Sequence, residues 1–85
     1  MKYEVRWNAW AEAELAAIWL AAADRAAVTR AAAWLDDHLG RSPLQLGESR
    51  TSSVYRLAFR SPLGLEFEVI EDDKRVIVQA VFTVD

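Results

Sequence analysis

Polar and apolar positions alternate at the start of the chain, then recur at helical spacing, then alternate again. Residues 2–7 place Tyr3, Val5 and Trp7 on one side and Lys2, Glu4 and Arg6 on the other. A period of two predicts a half-buried strand. Ala11, Leu15, Ile18, Trp19 and Ala22 then recur as one apolar helical face. The spacing predicts a helix over 9–22, with Asn8 as its N-cap and Glu12 and Glu14 in the turns where the helix dipole favours negative charge. Asp24 is a second N-cap, and Val28, Ala31, Ala32, Leu35 and Leu39 continue at helical spacing. A second helix over 25–39 follows, with Gly40 as its stop and Pro43 just beyond. The break at Ala23-Asp24 is so short that the two helices must form a hairpin.

Residues 41–53 read as the one long loop. Alternation resumes at 54–60, with Tyr55, Leu57 and Phe59 facing one way and Arg56, Ala58 and Arg60 the other. Residues 61–64 (Ser-Pro-Leu-Gly) form a turn. Over 65–70 the pattern expects Leu65, Phe67 and Val69 to pack with the Tyr55 set, and Glu66 and Glu68 to fall on the arginine face. After a turn at Asp72-Asp73-Lys74, residues 75–84 place Val76, Val78, Ala80 and Phe82 on one side. Ile77, Gln79, Val81 and Thr83 lie on the other. A strand apolar on both faces belongs in the middle of its sheet.

The expected fold is α+β, in the order β-α-α-β-β-β. The helical hairpin packs on one face of a small, mostly antiparallel sheet, and the last strand lies between the first strand and the meander. The chain is one domain over residues 1–85. The other sheet face is expected to be open and lined by Arg56, Arg60, Glu66, Glu68 and Gln79.

Composition narrows the chemistry. The chain has no Cys and one His, which excludes disulfides, thiolate metal sites and Cys nucleophiles and leaves no zinc set. The absence of Cys suits a reducing cytoplasm. No apolar run is long enough to span a membrane, and the alternating N-terminus is not a signal peptide. No metal or cofactor is expected. His38 falls in the last turn of the second helix, where a cation is favoured, and reads as structural. Asp36 and Asp37 are sequence neighbours that do not face each other on a helix, so they read as a solvated face.

The net charge is −3, but it is unevenly spread. Residues 1–40 carry four basic and six acidic side chains, residues 41–60 four and one, and residues 61–85 two and six. The basic segment contains Arg50, Arg56 and Arg60. Arginines in a row on one strand suit phosphate, which they contact in a bidentate way, and they stabilise charge that develops at a scissile bond. The competing reading is structural: in a hairpin, Glu66 and Glu68 opposite Arg56 and Arg60 stabilise the sheet as cross-strand ion pairs.

The chain resembles the RelE/ParE toxin superfamily of bacterial toxin–antitoxin systems, to which plasmid-stabilisation proteins belong. The likeness rests on the strand YEVRW, the first-helix run AEAELAAIW, the second-helix end LDDHLGRSP, then GESR, YRLAF and the closing EFEVIEDDKRVIVQAVF. It implies the same fold and a toxin that either cleaves mRNA on the ribosome or poisons DNA gyrase. It also implies a cognate antitoxin as partner. Arg50 resembles the family's basic loop residue before the sheet, and Arg56 its arginine on the strand after the helices. Arg60 joins them as a candidate for charge stabilisation. Three features differ from the active ribonuclease pattern: net acidity, Glu66 and Glu68 where a further arginine is usual, and an end at Asp85 without a Tyr- or His-bearing segment. These differences define the alternative, a non-catalytic binding module of the same fold.

Overall fold

The computed structural model describes residues 2–46, 48–49 and 55–84, with the backbone alone at 48–49. Five strands and two helices follow in the order β1 (Glu4–Trp7), α1 (Ala9–Ala21), α2 (Arg25–Arg41), β2 (Glu48–Ser49), β3 (Tyr55–Arg60), β4 (Leu63–Ile70) and β5 (Arg75–Thr83). The sheet order is β1-β5-β4-β3-β2. β1 runs parallel to β5 and every other pairing is antiparallel. The last long strand therefore sits between β1 and the meander, as its two apolar faces predict. The short β2 adds a strand that the sequence pattern does not show.

Both predicted N-caps form. Asn8 Oδ1 accepts from the Ala11 N–H at 2.7 Å, and Asp24 Oδ1 from the Ala27 N–H at 3.0 Å. The predicted stop at Gly40 does not form: α2 continues to Arg41 and ends at Ser42, whose helical geometry Pro43 disfavours. Gly40 has another role. It is buried against β1, where its carbonyl accepts from the Tyr3 N–H at 2.7 Å.

The core lies between the hairpin and one sheet face. Ala11, Val28, Ala31, Leu35 and Leu39 come from the helices. Ala58, Leu63, Leu65, Phe67, Val76, Val78 and Val81 come from the sheet. Tyr3, Val5 and Trp7 pack at its edge, as the first strand's alternation predicts.

Two expectations about strand faces are overturned. First, the core face of β3 is the Ala58 face. Ala58 pairs with Leu65 and is fully buried, whereas Tyr55 and Phe59 are 40% and 51% exposed. α2 packs over β3, and a small side chain at 58 leaves room for it. Arg56 beside it is half-buried and Arg60 is exposed. Second, β5 changes parity. Glu66 pairs with Ala80 but Phe67 with Val78, which leaves Gln79 as a bulge. Val76 and Val78 are in the core before the bulge and Val81 after it, while Phe82 turns to the other face. There its ring meets Phe59 edge-on at 6.1 Å. Gly64 is required beneath Phe82, because a Cβ at that position would lie 2.4 Å from the ring.

β1 ends at Trp7, opposite Val78. Beyond that point the outer edge of β5 has no strand beside it among the described residues. Glu14 of α1 supplies the missing acceptor, taking the Val81 N–H at 3.0 Å.

Candidate functional site

β3 places Arg56 and Arg60 on the helix side of the sheet. Four residues along a strand separate their Cα atoms by about 13 Å. The Arg60 guanidinium lies over the Trp34 indole of α2, 4.5 Å from the ring centroid. Trp34 also stacks on His38, with centroids 3.8 Å apart and planes at 18°. His38 Nδ1 lies 2.9 Å from the Trp34 carbonyl oxygen. A carbonyl only accepts, so Nδ1 carries the proton and a neutral ring keeps Nε2 as its acceptor. Asp37 Oδ2 is 3.8 Å from Nδ1 and also takes Arg41 in an ion pair. Beside this group a cavity of about 220 Å³ is lined by His38, Ser42, Gln45 and Leu46.

Arg56 is half-buried, and its Nε, wholly shielded, has no hydrogen-bond partner among the described residues. An unsatisfied buried donor costs roughly 1–3 kcal/mol. Arg50 lies outside the described residues. Its neighbour Ser49 pairs with Arg56 across the β2–β3 ladder, so the backbone leads from Arg56 to the start of that segment.

The competing reading, cross-strand pairing of Arg56 and Arg60 with Glu66 and Glu68, is not what the register gives. The ladder sets Leu57 opposite Glu66 and Tyr55 opposite Glu68. Cross-strand partners share a face, so both carboxylates lie on the side away from Arg56 and Arg60. Glu68 instead accepts from Gln79 Nε2 at 3.2 Å, and Gln79 Oε1 accepts from Asn8 at 3.1 Å. Among the described residues, Arg56 and Arg60 make no ion pair.

The helix-free face of the sheet carries Tyr55, Leu57, Phe59, Ile77, Ala80 and Phe82, together with Glu66, Glu68 and Gln79. Glu66 and Glu68 lie on β4, between the apolar residues of β3 and those of β5, so the surface is apolar and aromatic on either side of a central line of carboxylates, where an arginine-lined face was expected. The sequence contains its signal, since Tyr55, Leu57 and Phe59 share one parity, but that set reads equally well as core. Among the described residues no cluster of His, Asp or Glu could hold a metal ion. No helix formed by the described residues is long and apolar enough to cross a membrane.

No protein-family model and no curated protein sequence matches the chain. Solved structures do. A chain of the toxin–antitoxin complex RelBE2 from Mycobacterium tuberculosis superposes with a TM-score of 0.82 at 17% identity, covering 99% of this chain and 100% of that one. A chain of the chromosomal ParDE system from P. aeruginosa gives 0.73 at 17% identity, covering 98% and 97%. A chain of the intact E. coli RelBE toxin–antitoxin complex gives 0.69 at 20% identity, covering 98% of each. The chain has the RelE/ParE-like α+β fold.

Proposed function

We propose that this protein is the toxin component of a type II toxin–antitoxin pair, acting on translation by cleaving mRNA on the ribosome and neutralised by a small antitoxin protein. The observation that carries this reading is the placement of Arg56 and Arg60. They share one side of β3, away from Glu66 and Glu68, and Arg56 holds a shielded donor without a partner among the described residues. Cleavage of RNA without a metal needs cationic groups at the scissile phosphate. Two guanidiniums on one strand supply them, and removing one such donor typically costs 10²–10³-fold in rate. Arg50, outside the described residues, is proposed as a third member on its resemblance to the family's basic loop residue. The face around Tyr55 and Phe59 is proposed as an antitoxin surface, since both rings are exposed and exposed apolar groups gathered on one face mark protein partners. The fold likeness to chains of RelBE and ParDE complexes supports the same reading.

Two observations favour a second reading, a binding module without toxin activity. The Arg60 guanidinium is engaged by Trp34, and the whole chain is acidic. A cell-free translation reaction separates the readings. Purified wild-type protein is added at rising concentration and mRNA 5′ ends are mapped. Ribosome-dependent cleavage that is lost in Arg56→Ala is the expected result. Intact mRNA with loss of gyrase supercoiling activity assigns the gyrase branch. Intact mRNA with unaffected gyrase assigns the binding module.

A further inference from the structure

The outer face of α1 is not used by the fold. Ala11, Leu15, Ile18 and Ala22 face the core. On the opposite side Ala9, Trp10, Ala13, Ala16, Ala17 and Leu20 are all exposed, Trp10 at 69% and Leu20 at 63%. No charged side chain interrupts this face; Glu12 lies at its margin. α1 thus has two apolar faces, with Glu12 and Glu14 between them, and the fold buries only one. The alanines alone would not mark a site, but the two large exposed side chains do.

The order of residues on this face identifies what covers it. Trp10, Ala13, Ala17 and Leu20 are spaced three, four and three residues apart, in the sequence large, small, small, large. The pattern is symmetric about position 15. A two-fold interface requires a self-complementary patch, and this arrangement is one. We propose that the occupant is a second copy of this chain, with α1 antiparallel to its symmetry mate. Ala13 of each copy then meets Ala17 of the other at the crossing point, where small side chains allow close approach. Trp10 of each copy packs against Leu20 of the other. Next to that end of the helix, a mainly apolar cleft of about 660 Å³, lined by Ala17, Ala21, Ala23 and Pro62 with Asp24 and Thr83 also in its wall, is open to receive the indole edge. Knob and recess lie at opposite ends of the same helix, as an antiparallel two-fold needs.

The area sets the expected strength. The exposed parts of these side chains amount to roughly 450 Å² per copy, below the ~800 Å² per partner of a standard stable interface. The dimer is therefore weak and transient, in the small-area class of interfaces. The charge-free face allows two chains of net charge −3 to approach without like charges meeting at the contact. This inference does not depend on toxin activity.

Sedimentation equilibrium on the purified chain between about 1 and 200 μM tests it. Wild type is expected to pass from monomer to dimer, and Leu20→Glu to remain monomeric while keeping the wild-type circular dichroism spectrum. The register is tested by cross-linking, which the absence of native Cys makes clean. A mixture of Ala13→Cys and Ala17→Cys chains is expected to form disulfide dimers several-fold faster than either variant alone. Wild type that stays monomeric at 200 μM, or a Leu20→Glu variant that still dimerises, overturns the proposal. So does equal cross-linking in the mixture and in the separate variants. A face covered only by a different protein would give the first of these results.

Discussion

Glu14 is expected to be among the most sensitive charged positions in the chain, although it lies on a helix in which acidic residues look ornamental. Its carboxylate takes the Val81 N–H at 3.0 Å, where β5 has passed the end of β1. Glu14→Ala removes a hydrogen bond to a charged group, worth about 1.5–3 kcal/mol, and leaves a part-buried N–H without an acceptor. The better helix propensity of Ala returns only a few tenths of a kcal/mol. The net loss is therefore about 2 kcal/mol, which for a domain of this size lowers Tm by roughly 8–16 °C. Glu14→Gln keeps an acceptor oxygen but not the charge and should lose about half as much, since charge-assisted bonds are about twice as strong as neutral ones. Glu12→Ala, on the exposed margin of the same helix, should change stability by less than about 0.5 kcal/mol. Urea unfolding of the three variants reads all of this from the midpoint. A Glu14→Ala midpoint equal to that of Glu12→Ala would refute the reasoning.

Gly64→Ala drives a methyl into the Phe82 ring and should cost about 1–3 kcal/mol by overpacking; the same change in a Phe82→Ala background should cost much less, and equal costs in both backgrounds would remove Phe82 as the cause. Tyr3, Glu71 and Lys74 form a surface group in which Lys74 and the Tyr3 hydroxyl hold the Glu71 carboxyl below its usual 4.5. Its contribution is present above that value and is lost as pH falls through the lowered pKa, so a Glu71→Gln variant should show a flatter Tm–pH curve in acid than wild type. On the alkaline side, the hydrogen bonds to Glu71 raise Lys74 above 10.5 and Tyr3 above 10.0. That contribution is present below these values and fades as pH rises through the raised ones, and the same Tm series extended to high pH in wild type and Glu71→Gln measures it.

Much of the fold is legible in the sequence because each local signal agrees with the global one. Asn8 and Asp24 cap the helices they were expected to cap. The spacing of Val28, Ala31, Leu35 and Leu39 gives the buried face of α2, and the two apolar faces of β5 give its central place. The failures have specific causes. Alternation in β3 separates two sets of side chains but does not say which set meets α2. Packing distance decides that, and it favours Ala58 over a row of rings. The bulge at Gln79 reverses parity within β5, and a regular period of two cannot show an inserted residue. Gly40 looks like a helix stop because glycine often is one, but here Pro43 ends the helix.

The site was legible in part for the same reason. That Arg56 and Arg60 share a side follows from their spacing alone. Their separation from Glu66 and Glu68 depends on the ladder register, and their company, Trp34 and His38, comes from α2, remote in sequence. The role of Arg50 remains a proposal that rests on resemblance and on its position next to Ser49.

Growth of a bacterial culture after tightly induced expression tests the central claim most directly. Wild type is compared with an Arg56→Ala/Arg60→Ala double variant whose folding is verified by its circular dichroism and thermal melt. Arrest by wild type, relieved in the double variant, is the predicted result. Normal growth with abundant folded wild-type protein would contradict the claim, and arrest that persists undiminished in the double variant would contradict the role given to the arginines.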